Sequence, residues 1–590
     1  MAQLIKIITN NKTRHCVSCL IHSPHLLTYI DEDIMALFPA EDFTLTHVGH
    51  LPIVKDYAQK LRLVETINTM VDSQMELPPG IAVLAMVLDT LSGRTPLYRL
   101  KDFFQDKDTE LLLGVQIDPV RFCDHNIGRV LDKIYEFGTQ KIFSEITKNA
   151  IDLFEIDTSH AHFDTTSISV YGDYDVVNPP FAITYGYSKD KRPDLKQFLI
   201  SMLCVDRNIP VLGAPKDGNA SDKTINNDLM THISKHMARH HLEPEAFVYV
   251  ADSAFVTGKN LDKAAETHTK FISRLPATYG DCSRAIKEAV EAGQWNDIGV
   301  ISNSAPTPKR QPAYYKTYET TITVEGRDYR TIVVHSSAHD KRRHKRIDRI
   351  IADKRKKLEA ICKKATSSPY FCEPDALAAA GRLAASASGS YHGLDIAVKE
   401  IAKYGRGRPA EGKPRVPKSH EYSLEIKISE DPAAVVPLRL EAGCFVLISN
   451  LCDEADRVQW SAEQLLRLYK NQDGIEKNFG FLKDPVIVNS IFLKSPHRIE
   501  VLGLIFLIAL LIWRLMERSM RQYIESTGET VPGWEDKPTK KPTAFMMTTK
   551  FANVSVVKIT NKRQTAYPLR PVHFEYLRAL NVNPDIFTNP

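Results

Sequence analysis

The 590-residue sequence lacks an apolar run long enough to cross a bilayer as a helix. Its longest run, Val501 to Trp513, is thirteen residues, whereas a spanning helix needs about 20. Arg498, Glu500, Arg514 and Glu517 flank the run, so the expectation is a buried core helix and no membrane partner. Cysteine is also scarce, with nine scattered residues. An odd, dispersed set implies no disulfide framework and suits a reducing interior. The N-terminus, MAQLIKIITNNKTRHC, has neither the apolar core nor the cleavage pattern of a secretory signal. The expected location is therefore cytoplasmic. Charge of one sign is nearly balanced, at +4 overall, and the net value points to no partner class.

Charge is distributed unevenly, however. From Lys341 to Lys364 there are twelve Lys and Arg against Asp348, Asp353 and Glu359. Lys341, Arg342, Arg343, Lys345 and Arg346 head this stretch, a local field that suits a polyanion. The ordinary alternative is a solvated helix or linker. Cys16, Cys19, His22 and His25 have zinc-ligand chemistry, but zinc sites usually set their two ligand pairs well apart in the chain. Chance proximity is the competing reading.

The length accommodates two to four domains. Residues 1–45 form an N-terminal segment that carries little signal. Residues 46–155 read as an all-helical domain for DNA-end binding or subunit pairing. Pro78 and Pro79 open IAVLAMVLDTL, Pro96 opens LYRLKDFF, and helical spacing runs from Asn126 to Phe154. Residues 156–280 turn to strands: AHFDTTSISVYG, FLISMLCV, IPVLGAP, FVYVA and KFISRLP, with helices between the later ones. That order predicts a mixed α/β sheet. Residues 281–455 read as an insertion, with the hairpin TTITVEGRDYRTIVV, the basic stretch, alanine-rich helices from Asp375 to Lys403, and the strands YSLEIKI and CFVLISN. Residues 456–525 resume the sheet domain, and 526–590 form a C-terminal region.

Three places carry chemistry. A single helix over Tyr469 to Lys483 puts Tyr469, Gln472, Glu476 and Lys483 within an arc of roughly 60°. Leu468, Ile475, Phe479 and Leu482 then form the buried flank. Alone, that stripe is also what a solvated amphipathic face looks like. Asp164 lies within a strand pattern, where aspartate is depleted and rarely buried unpaired; an exposed position on an edge strand is the alternative. Asp252 follows five apolar residues, just past a strand's C-terminal end, where α/β sheets place ligands. Helix capping is its alternative role. Together Asp164, Asp252 and Glu476 supply three hard oxygen donors, which select Mg²⁺ or Mn²⁺ over zinc.

Asp164 in FDTTSISVYG, Asp252 in VYVADSA and the spacing Tyr469-x2-Gln472-x3-Glu476-x6-Lys483 resemble a DDE transposase of a bacterial insertion sequence. The resemblance is to the subgroup with a Y-x2-R-x3-E-x6-K signature and a β-rich insertion before its glutamate. It spans roughly residues 45 to 520. It implies a ribonuclease H-like catalytic fold, with Asp164, Asp252 and Glu476 as catalytic metal ligands for two Mg²⁺ ions, and Mn²⁺ as a substitute. It also implies double-stranded DNA as partner, both transposon ends and target, a homodimer on paired ends, and association with the nucleoid. Water would cut at the element's end, and the freed 3′-OH would attack target DNA. Tyr469, Gln472 and Lys483 would contact DNA. Gln472 departs from the signature arginine and cannot offer a charged fork. Arg406 and Arg408, in Arg406-Gly407-Arg408-Pro409, resemble a minor-groove-binding hook; an ordinary linker has the same composition. A structure-specific nuclease of the same fold and a non-catalytic, domesticated DNA-binding protein are the rival readings.

Overall fold

A computed structural model describes residues 43–93, 96–176, 178–188, 191–206, 208–239, 247–301, 311–387, 390–406, 414–471, 473–484, 493–559 and 562–590. Cys16, Cys19, His22, His25, Gln472 and Arg408 lie outside these residues, as do the side chains of Lys341 and Arg342.

The strand-rich segment folds as its pattern predicts. After β1 (Phe43–His47), the strands β2 (His160–Val170), β3 (Lys196–Val205) and β4 (Ile209–Lys216) form an antiparallel meander. The two short apolar strands β5 (Val248–Ala251) and β6 (Phe271–Arg274) then pair parallel to β2 and to each other. Each is reached through a helix, Asp222–Arg239 before β5 and Gly258–Glu266 before β6. β5 is buried along its whole length, as a parallel strand covered on both faces must be.

Part of the insertion belongs to this same sheet. β7 (Asn296–Val300), β8 (Tyr314–Val324) and β9 (Arg327–Ser336) continue it, and β12 (Cys444–Ser449) joins β9 to β6. Among the described residues the order is β4-β3-β2-β5-β6-β12-β9-β8-β7. The predicted hairpin turn is Glu325–Gly326, both at positive φ, the geometry that suits a two-residue hairpin. The rest of the insertion stands beside the sheet. The basic stretch is a helix, Ser337–Ala365, and its second half packs with the helix Glu373–Ser386 against a ribbon of β10 (His392–Lys403) and β11 (Ser419–Glu430). One expectation is corrected here. Residues 392–403 are strand rather than alanine-rich helix, because Leu394, Ile396 and Val398 alternate at period two and pack on the neighbouring helix.

The run Val501–Trp513 is buried, as expected, inside a core helix, Pro496–Thr527. By length and composition that helix could cross a membrane, but 89% of its apolar window is buried within the protein. It packs against β4, against the N-terminal helices Leu51–Lys60, Pro79–Thr90, Asp124–Phe137 and Thr139–Phe154, and against the C-terminal helix Pro571–Leu580. The N-terminal region is helical as predicted, with Gly138 dividing its last long stretch at φ +112°. The sequence did not indicate that the N-terminal helical region and the C-terminal region meet. β1 pairs with the strand Ser555–Ile559, and Arg563 lies 2.6 Å from the buried Asp108.

Candidate active site

Hydrogen-bond register places the two aspartates. β2 is an interior strand, flanked by β3 and β5, so the edge-strand alternative for Asp164 does not hold. His160, Ala161 and His162 pair with Val248, Tyr249 and Val250. Asp252, extended at φ −75° and ψ 178°, follows the last residue of β5, two residues beyond the last pair of the ladder. The charges of Asp164 and Asp252 both act on one buried phenol, Tyr249, which brings the two carboxylates to one region of the sheet. Both are half-buried. One oxygen of Asp164 accepts from the Thr165 N–H at 2.7 Å. The Asp252 backbone carbonyl accepts from the Ser273 hydroxyl on β6 at 2.7 Å.

The capping alternative for Asp252 is realised in part. Its Oδ1 accepts from the Ala254 N–H at 3.1 Å and caps the single turn Ser253–Phe255. The longer helix that follows has its own cap, Thr257. Beneath the pair lies Tyr249, fully buried, donating to Asn226 Oδ1 at 2.6 Å. Burial first, and then the charges of Asp252 and Asp164, push its phenol well above the ordinary range. Thr165 donates to Asp222 at 2.6 Å. His162, one turn of the pleat before Asp164, is buried, and burial lowers its pKa to about 3.

The expected single helix from Tyr469 to Lys483 is two helices, Ala462–Lys470 and Asp473–Lys483. The first ends at Asn471, and Gly474 sits so close to Asn208 that a Cβ there would lie 1.8 Å from its side-chain nitrogen. Asn471 ends the first helix in a right-handed conformation, and a side chain at position 474 would have to displace that of Asn208. The shared stripe is thereby broken. Tyr469 belongs to the first helix, half-buried with its ring 6.4 Å from Phe445. Glu476 and Lys483 belong to the second.

That second helix packs on β2. Its buried Asn478 donates to Met202 and Cys204, the residues paired with Asp164 and His162. Directly opposed residues on paired strands share a face, so the helix lies on the face to which Asp164 points. Glu476 is exposed on it, and Lys483 is half-buried in its last turn. Glu476 and Asn478 are about 200° apart around the helix. Among the described residues no three His, Cys, Asp or Glu side chains converge closely enough to hold a metal ion. Asp164 and Asp252 suit a hard divalent cation by chemistry and by adjacency, and Glu476 stands on the covering helix without closing a three-ligand cluster. Sequence reasoning missed Asn478, Tyr249 and Thr165. The one available signal was an Asn inside the helix's apolar flank.

Of the basic residues, Lys345 and Arg346 are exposed on the Ser337–Ala365 helix. Arg343 donates to the Cys444 carbonyl at 3.2 Å and ties that helix to β12. Arg406 is exposed in a loop where Arg415 stacks on Tyr404 and donates to the Gly405 carbonyl.

The described site is thus a mixed sheet with Asp164 within β2 and Asp252 just past β5, with a glutamate-bearing helix packed on β2. Residues 156–512, more than half of the chain, match the family described as Transposase DDE domain. The chain belongs to that family and is a DDE transposase by descent. Residues 43–148 match a domain of unknown function, DUF4277. No curated protein matches the chain. Among solved structures, the Mos1 transposase paired-end complex with left transposon end aligns over 34% of this chain and 61% of that one, at 11% identity and a TM-score of 0.15.

Proposed function

We propose that this protein is a DNA transposase that cleaves the terminal inverted repeats of its own element and joins the 3′-OH ends to target DNA. The observation that supports the reading is that Asp164 lies on β2 and Asp252 just past the end of its parallel neighbour β5, close enough for both charges to act on Tyr249, with the Glu476 helix packed on β2. Two like charges so placed repel unless a cation offsets them. The strand order β4-β3-β2-β5-β6, with β2, β5 and β6 parallel, supports a ribonuclease H-like layout for the catalytic domain.

Asp164 and Asp252 would hold a divalent cation, Mg²⁺ with Mn²⁺ as substitute, and Glu476 would complete the set for a second ion. Such ions activate the attacking oxygen and stabilise the leaving one in an in-line displacement. The protein's own residues place the scissile phosphate. Lys483 lies on the Glu476 helix, within reach of neighbouring phosphates. Tyr469 and Gln472 precede it in the chain as further DNA contacts. Lys341, Arg342, Lys345, Arg346, Arg406 and Arg408 supply the phosphate-backbone attraction that dominates affinity. Two copies would act together on paired ends.

The test uses a labelled duplex bearing the element's inverted repeat, Mg²⁺, and the variants Asp164→Ala, Asp252→Ala and Glu476→Ala. Each should abolish cleavage and joining while end binding persists. Cleavage by any one of the three variants refutes the assignment of that residue. Cleavage of branched DNA without regard to the repeat would favour a structure-specific nuclease.

A further inference from the structure

Asn478 is the only carboxamide in the apolar flank of the Glu476 helix, and its side chain is fully buried. Both ends of its amide are engaged. Nδ2 donates to the Asn208 carbonyl at 2.9 Å and to Cys204 Sγ at 3.2 Å, with Met202 Sδ at 3.6 Å. Oδ1 accepts from Arg514 Nε on the core helix at 2.7 Å. Arg514 in turn donates to Glu517 at 2.5 Å, and Glu517 accepts from the Ala544 N–H at 3.2 Å. Burial pushes the Cys204 thiol up to about 12, so it stays protonated at neutral pH and meets Asn478 as a neutral sulfur.

Ile475, Phe479 and Leu482 also bury themselves beneath this helix. Apolar burial is non-directional, and three such side chains tolerate a helix that rolls or slides. A buried amide does not, because each lost hydrogen bond leaves a buried polar group unsatisfied. A shift by one residue turns the helix about 100° and re-aims Glu476 by the same angle. Asn478 sits between β3, the strand paired with the Asp164 strand, and the core helix, and so it defines one rotation.

We propose that Asn478, held by Arg514, is a positioning residue that sets the rotation of the Glu476 helix over the Asp164–Asp252 pair. This rests on the reading of Glu476 as a metal-binding carboxylate. The side chain of Asn478 faces the protein interior and touches no substrate.

Full-length Asn478→Ala, Asn478→Asp and Glu476→Ala are compared with the parent protein. The measurements are thermal unfolding, binding to an end-bearing duplex, cleavage against Mg²⁺ concentration, and Mn²⁺ binding by titration without DNA. Loss of a residue that orients a metal ligand commonly costs about 10- to 100-fold in metal affinity or activity. Asn478→Ala should therefore need about tenfold more Mg²⁺ for half-maximal cleavage and bind Mn²⁺ correspondingly more weakly, with end binding kept. Asn478→Asp preserves the size and the Arg514 contact while removing the donors to Asn208 and Cys204. It should show the same shift in smaller degree, and it carries the test if the alanine variant does not fold. An unchanged metal requirement in these variants, with Glu476→Ala inactive, overturns the positioning role alone. Cleavage by Glu476→Ala overturns the reading of Glu476 and the role of Asn478 with it.

Discussion

Carboxylates occur in two contrasting settings in this protein. Asp108 is buried with its cation built in: Arg563 reaches it at 2.6 and 3.1 Å and also contacts Glu110. Burial raises the Asp108 pKa, but the Arg563 hydrogen bonds, the Leu111 N–H and Lys558 outweigh it and hold the carboxyl below its usual range. Asp164, on β2, and Asp252, just past the end of β5, are instead two like charges that both act on the buried Tyr249. The first arrangement holds the C-terminal strands to the N-terminal helices. The second belongs to the proposed metal site, where carboxylates near one another would be offset by a bound cation.

Replacing one member of each pair separates the two roles. Asp252→Asn should eliminate cleavage, the largest effect expected anywhere in the molecule, yet leave the melting temperature unchanged or slightly higher because repulsion is relieved. Arg563→Met should do the opposite. Removing one partner of a buried ion pair costs about 3–5 kcal/mol, read by denaturant unfolding, while cleavage per folded molecule persists. The pH dependence follows from the sign of the shift. Asp108 has a depressed folded pKa, so its stabilisation is present at neutral pH and disappears as pH falls through the carboxylate range and then the folded value. The stability gap between the parent and Arg563→Met should narrow on acidification. A gap that widens below pH 5 would show that Asp108 is not the group Arg563 stabilises.

A smaller effect is expected where the Glu476 helix begins. Gly474→Ala puts a methyl into the Asn208 side chain. Overpacking of this kind typically costs about 1–3 kcal/mol, and here the displacement acts on the helix that carries Glu476. Thermal unfolding should show the loss, and cleavage should fall further than stability alone explains. An Asn208→Gly background should relieve both.

The same contrast explains how much the sequence revealed. The strand segments of the mixed sheet were legible because alternation, β-branched runs and the apolar stretch before Asp252 are local signals. The 469–483 helix was legible in its composition and misread in its continuity. The break at Asn471 depends on how closely Gly474 meets Asn208, more than 260 residues earlier in the chain. Residues 392–403 were misread for a related reason, because alanine and lysine favour helix locally while packing on the Glu373–Ser386 helix selects the strand. The Arg563–Asp108 joint and the Asn478 anchor left no trace at all, since each joins side chains far apart in sequence and nothing in local spacing encodes such pairs.

The smallest effect concerns charges for which no ion-pair partner is present among the described residues. Lys345 and Arg346 are exposed on the Ser337–Ala365 helix, whereas Arg343 in the same stretch is spent on the Cys444 carbonyl. If the helix lies along DNA, Lys345→Gln with Arg346→Gln should weaken binding similarly for all sequences. The slope of log affinity against log salt should fall by about 0.9 for each phosphate contact removed. Stability should stay within about 0.5 kcal/mol, as for most surface substitutions. Arg343→Gln should show the reverse, a loss of stability with little change in slope, because its guanidinium holds the helix to β12 rather than facing a ligand. Equal salt slopes in the parent and the Lys345/Arg346 double variant would assign the exposed charges to solvation and move the DNA path elsewhere on the protein.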